Sequence, residues 1–264
     1  MALSLNNLGD LARHQGSLQA AETTYQQAKA TAQEIDDKDA IAYVLTGLGD
    51  VFTDRGDLAT ARRSYEESLA MRDRSGEKQT AAETQIALAR LAIEEGHAAD
   101  AAAEMRICKE QFHREHQADD ELSASAVLTE ALLAQGKNGD AKQQIDATAI
   151  LAEKSQNRFA RFQFALASAR VLFVSGQPES SRLQLQQVVK DARGHGFMGV
   201  ELEARLALAE SEEKSGRTTA AQAQLLWLER NARINGFGLI ARKAAAERTR
   251  QLGTEGKIPP PPKA

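Results

Sequence analysis

"IAYVLTGLGDVFTDRGDLATARRSYEESLA", residues 41–70, holds two apolar-periodic runs on either side of one glycine. Leu45, Leu48, Val51 and Phe52 recur at spacings of three and four, and so do Ala61, Tyr65 and Ser68. That is the 3.6-residue period of a helix with one buried face. Gly56 stands between the runs, where a residue able to adopt positive φ ends the first helix, and Asp57 stands where a carboxylate can cap the second. The stretch therefore reads as helix A, a tight turn, and helix B. No segment of the chain alternates with period two over any length, so no strands are expected.

The same pattern returns every forty residues. Gly16, Gly56, Gly96, Gly136, Gly176 and Gly216 form a comb, with Leu8, Leu48, Leu88, Leu128 and Leu208 eight residues before five of them. Five residues after come Ala21, Ala61, Ala101, Ala141, Ser181 and Ala221, and nine after come Tyr25, Tyr65, Met105, Ile145, Leu185 and Leu225. Small residues bring helix backbones close and the larger ones fill the space beside them. A fixed period of this length marks a solenoid. The comb also disposes of "GHGFMG" (194–199), a G-x-G-x-x-G match: it follows the helical run "LQLQQVVKDAR" and belongs to a loop between repeats. A dinucleotide fingerprint needs a preceding strand.

These columns resemble the tetratricopeptide repeat (TPR). The match is close over 41–80 (Leu45, Leu48, Gly49, Phe52, Gly56, Ala61, Tyr65, Ser68) and over 1–40 (Leu5, Leu8, Gly9, Gly16, Ala21, Tyr25, Ala28), with later repeats drifting. The resemblance implies an all-α, right-handed α-solenoid of six helix pairs: 1–40, 41–80, 81–120, 121–160, 161–200 and 201–240. A capping helix is expected over 241–252, with Arg242, Lys243, Arg248 and Arg250 as a solvating surface. A disordered Pro-rich tail is expected over 253–264.

Composition narrows the function. The chain carries a net charge of −4. Residues 1–120 hold 22 acidic and 13 basic side chains, and the remainder 15 and 20. Nothing in that balance supplies the concentrated basic footprint of a nucleic-acid binder. No apolar run approaches the roughly 18 residues of a membrane span. The start, "MALSLNNLGD", lacks the features of a secretory signal. Cys108 is the only cysteine and falls in a core-facing column, so no internal disulfide forms and a cytoplasmic setting fits. His113, Glu115 and His116 with Asp119 and Asp120 are the nearest thing to a metal set, at the polar end of a helix B, and no metal or cofactor is expected. Trp227 is expected to pack under the C-terminal cap. With no nucleophile elbow, P-loop or paired-carboxylate motif, the chain is not expected to be an enzyme.

By the resemblance, helix A lines the concave surface, and selected helix A positions face a bound peptide. One such column runs Asn6, Thr46, Ile86, Ala126, Leu166, Leu206, and another Arg13, Thr53, Ile93, Leu133, Phe173, Glu213. A third runs Asp10, Asp50, Arg90, Glu130, Arg170, Glu210. The groove is polar and acidic in the first two repeats and apolar in the third to fifth. Ile86, Ile93, Leu133, Leu166 and Phe173 are expected to contact a protein or peptide, with Glu130 beside them and Arg90 and Arg170 pairing with its carboxylates. The alternative packing of these side chains as core stands equally open. At the other edge, Leu3, Leu5, Leu8 and Leu11 are spaced to bury a face that nothing precedes. Either this edge forms a homodimer or an upstream domain covers it. The stretches 201–210 and 236–246 resemble the C-terminal repeats of bacterial multidomain signalling proteins, in which a Ser/Thr kinase or a DNA-binding domain precedes the array. That implies an alternative role as a regulatory module.

Overall fold

The computed structural model describes the backbone of residues 1–75 and 78–255, and side chains for 1–74 and 81–250. Thirteen helices and no strand occur among the described residues: α1 (Ala2–His14), α2 (Leu18–Glu34), α3 (Lys38–Arg55), α4 (Leu58–Ser75), α5 (Lys78–Glu94), α6 (Ala98–Arg114), α7 (Ala118–Ala134), α8 (Asn138–Lys154), α9 (Arg158–Val174), α10 (Pro178–Gly194), α11 (Met198–Lys214), α12 (Thr218–Ile234) and α13 (Gly238–Glu255). The even-numbered helices begin at 18, 58, 98, 138, 178 and 218, so the forty-residue comb is the structural repeat.

Each comb glycine does what the sequence asks of it. Their φ values run from 72° to 89°. After α3, the Gly56 amide donates to the Thr53 carbonyl at 2.8 Å and the Asp57 amide to that of Phe52 at 2.9 Å, which satisfies the last carbonyls of the helix. Asp57 Oδ1 in turn accepts from the Thr60 amide at 3.2 Å. Ser17, at the corresponding place before α2, makes no such bond. Gly196 and Gly236 take the same left-handed conformation between repeats, and at the equivalent places Asp36 and His116 adopt it without being glycine. The helix preceding "GHGFMG" is α10, and Gly196 is its turn residue.

The odd-numbered helices pack on one another along the array, whereas each even-numbered helix chiefly touches the odd-numbered helices on either side. The odd set is therefore the inner layer. Its small residues set the spacing. Tyr25, fully buried, lies so close to α1 and α3 that a Cβ on Gly9 or Gly47 would fall 2.6 or 2.5 Å from its ring. Tyr65 repeats the arrangement against Gly49.

Repeats of a solenoid ordinarily touch only their neighbours. This array also closes on itself. One core cluster joins Leu18, Tyr25, Val44 and Leu48 to Leu206, Leu225, Phe237 and Ala241, residues from opposite ends of the chain. Met198 fills the space beside Gly16, Arg242 donates to the Gly56 carbonyl at 2.7 Å, and Gly238 lies directly against the Arg55 carbonyl. The ends of α1 and α3 thus abut the starts of α11 and α13, forming a seam.

The seam changes the expected cap. Its helix runs Gly238–Glu255 rather than 241–252, and Ala241 and Ala244 are buried. Arg242 is a seam donor, Lys243 pairs with Glu94, Arg248 with Glu229, and Arg250 with Glu213 and Glu247. These cations pin the helix rather than merely solvate it. Residues 253–255, expected in the tail, belong to α13, and 256–264 lie outside the described residues. Trp227 is also not under the cap: it is partly exposed, with the Arg205 guanidinium 4.6 Å from its ring centroid, while Leu225 and Leu228 take the buried places.

Candidate functional site

Two of the three expected columns on the odd-numbered helices are half-buried throughout. Ile93, Leu133 and Phe173 belong to one, and Arg90, Glu130 and Arg170 to the other. The remaining column is core. Leu166 is 0% exposed and Ile86 8%, each enclosed in a hydrophobic cluster, so neither presents a surface to a partner. That column is packed among the neighbouring helices, while Glu94 and Glu203 are half-buried and reach Lys243 and Arg170.

Much of the inner wall's charge is already paired. Arg170 bonds Glu130 at 2.7 Å and Glu203 at 3.3 Å, joining α9 to α7 and α11. Arg13 bonds Asp54 at 2.7 Å and Asp50 at 2.9 Å. Tyr25 donates to Asp10 at 2.6 Å and Tyr65 to Asp50 at 2.7 Å, the same bond displaced by one repeat. Arg170 is therefore committed to its neighbours, contrary to the expectation that it awaits a ligand carboxylate. Arg90 differs: among the described residues it makes no ion pair, its Nε is buried without a partner, and its guanidinium lies 5.8 Å from the Phe159 ring centroid.

Burial pushes the Glu130 carboxyl above its ordinary range despite Arg170. Burial acts on Glu203 in the same direction, but Arg170, Arg90 and Lys243 outweigh it and hold that group below its usual value. Ionised Glu203 therefore adds stability that is present above the ordinary carboxylate pKa and lost as pH falls through the lowered one. Ionised Glu130 costs stability near neutrality, and that cost fades on acidification. Arg170→Ala removes the first contribution and deepens the second. It is expected to cost about 1–3 kcal/mol at pH 7, less than a fully buried pair because water still reaches the group. Urea titrations at pH 7 and pH 4 should show the difference from wild type shrinking at the lower pH.

Where the inner wall meets the seam, His14 lies 4.6 Å from Phe197 and 5.9 Å from Phe159, with Phe162 5.5 Å from Phe197. Burial, and then Arg13, lower the His14 pKa to about 4, against an opposing pull from Asp50. The unfolded chain binds its proton more readily, so stability is full above about pH 6.5 and falls as pH drops toward 4. His14→Phe should flatten that part of a plot of Tm against pH. An unchanged slope would show that His14 is not enclosed.

The other chemistry-bearing residues are occupied structurally. His113 is exposed and contacts Glu121 at 3.1 Å, while His116 is a turn residue. Among the described residues no three His, Cys, Asp or Glu side chains gather as a metal site. Cys108 is buried against Gln85, and burial pushes its thiol up to about 11, so it is a poor nucleophile at neutral pH.

Comparison with known proteins agrees with this architecture. The tetratricopeptide repeat family model matches residues 1–74. No curated protein sequence matches. A crystal structure of Rap protein complexed with Competence and Sporulation Factor is similar over 96% of this chain and 75% of its own, with 12% identity and a TM-score of 0.66. A kinesin light chain with nearly identical TPR-like repeats from Podosopora anserina aligns over 72% of this chain and 93% of its own (18% identity, TM-score 0.45). BtubC (BKLC) from P. vanneervenii aligns over 96% and 95% (12% identity, TM-score 0.49). The first likeness establishes the fold as a TPR-like array.

Proposed function

We propose that the protein is a non-catalytic interaction scaffold whose inner wall holds a segment of a partner protein. The observation that carries this reading is the half-buried column Ile93, Leu133 and Phe173 beside Arg90, a guanidinium with no ion pair among the described residues. Apolar surface with few fixed charges suits a peptide or helix that alternates apolar and polar contacts, and a guanidinium in no direct ion pair among the described residues suits its carboxylate. The Rap neighbour, itself complexed with Competence and Sporulation Factor, supports the reading that an array of this fold holds a partner. The second reading is a regulatory or sensory C-terminal module of a larger bacterial signalling protein, of the Ser/Thr kinase or transcription-regulator type. A cytoplasmic setting accords with the single buried thiol, and no helix among the described residues is long and apolar enough to cross a membrane.

Photo-cross-linking tests the site. A benzophenone side chain at Phe173 or Ile93, expressed in the source cell, should capture a discrete partner. The same group at Ile107, which is 70% exposed on α6, should not. Equal capture at all three positions would remove the inner wall as the binding surface.

A further inference from the structure

Helix α12 turns an unusual side to solvent. Trp227, Arg230 and Ile234 stand at i, i+3 and i+7, so they share one side of the helix. Trp227 is 40% and Ile234 81% exposed, and Arg230 is exposed without an ion pair or hydrogen bond among the described residues. In the other repeats the place of Trp227 is held by Gln27, Glu67, Ile107, Ala147 and Gln187, and that of Ile234 by Glu34, Arg74, Arg114, Lys154 and Gly194. Both columns are exposed in every one of those repeats, so a neighbouring repeat leaves this side open. Only α12 places large apolar residues at both positions.

The surroundings of the stripe suit a ligand of one sign. The Arg205 guanidinium lies 4.6 Å from the Trp227 ring centroid and holds the indole, so little rotamer freedom is left to lose on binding. Beside the ring opens a cavity of about 370 Å³ lined by Met198, Leu202, Trp227 and Asn231, which offers room for an apolar side chain. The charge is lopsided. Glu201 is shared by Arg193 and Arg205, and Glu229 by Arg233 and Arg248. With Arg230 added, five guanidiniums stand against two carboxylates.

We propose that this stripe docks an acidic, amphipathic helical segment of a second protein. Its apolar residues lie on Trp227, Ile234 and the cavity, and its carboxylates meet Arg230 and the surplus guanidiniums. Trp and Arg are the residue types that carry most of the energy of an interface. An amphipathic helix supplies apolar side chains at the spacing of the stripe, and a basic segment is repelled. The stripe lies on the outer layer, so it stands independently of the inner-wall reading.

Trp227 is the only tryptophan, so its fluorescence reports on the site directly. The probe is a synthetic amphipathic peptide with leucines at i, i+3, i+4 and i+7 and glutamates elsewhere. Titrated into the full chain, it should shift the Trp227 emission to the blue and saturate between about 1 and 100 µM. Added salt should weaken it. A peptide with the same leucines and lysine for every glutamate should give no shift. Arg230→Glu and Ile234→Asp should each weaken binding of the glutamate peptide at least about tenfold. Far-UV circular dichroism should stay unchanged in both, because the two side chains are exposed. Ile107→Asp, at the Trp227 place of α6, should leave binding intact. No shift at about 1 mM glutamate peptide would overturn the proposal. So would an equal response to the two peptides, or binding indifferent to Arg230→Glu and Ile234→Asp.

Discussion

Gly238→Ala is expected to part the two ends of the array and destabilise the protein, although alanine is the better helix former. A Cβ at 238 would collide with the carbonyl oxygen and carbon of Arg55, which belong to backbone and cannot rotate away. Two effects oppose each other. Replacing glycine inside a helix gains up to about 1 kcal/mol, while forcing extra volume into a packed contact costs about 1–3 kcal/mol. The collision should win, for a net loss of about 1–2 kcal/mol. Small-angle scattering should show a larger radius of gyration as the seam opens. Gly139→Ala is the matched control, because nothing lies within 4 Å of a Cβ built there. It should be neutral or slightly stabilising. Equal effects at 139 and 238 would mean that the ends do not meet.

Tyr25→Ala is expected to cost about 3–5 kcal/mol, the upper range for losing a buried aromatic. The ring is 0% exposed and lies between Gly9 and Gly47, which have no side chains to move into the space. The cavity therefore persists, and Asp10 loses the hydroxyl that bonds it at 2.6 Å. Tyr25 also belongs to the cluster that joins the two ends, so its loss reaches α11 to α13 as well as its own repeat. Urea unfolding followed by circular dichroism gives the value. A cost near 1 kcal/mol would show that α1 and α3 collapse freely and that the glycines do not set the helix spacing.

Much of this was legible in the sequence because a solenoid is periodic. The comb glycines, the columns beside them and the apolar spacing of 41–70 each specify a local geometry, and the thirteen helices among the described residues follow from repetition. Repetition is silent about pitch. Whether the first repeat meets the last depends on small rotations accumulated over the array, so contacts such as Arg242 with Gly56, 186 residues apart, left no pattern to read. The candidate site was legible in part for a related reason. Ile93, Leu133 and Phe173 are half-buried, whereas Leu166 and Ile86 turn into the core. An apolar residue in a groove column and one in a core column read alike in the sequence, so burial of Leu166 and Ile86 had no residue-type signal. Arg170 was visible as an inner-face cation, but its engagement by Glu203 requires knowing that α9 and α11 are neighbours on that face.

Closure is the central claim, and one cross-link tests it. Lys243 on α13 pairs with Glu94 on α5, a contact that exists only if the array comes round on itself. Lys243→Cys and Glu94→Cys, combined on a Cys108→Ser background, place two thiols on opposite sides of the seam. A short bismaleimide should join them rapidly within one molecule, giving a linked 94–243 peptide by mass spectrometry and a raised Tm. If the thiols are modified singly and no intramolecular link forms, the array is open in solution and the closed inner wall described above does not exist.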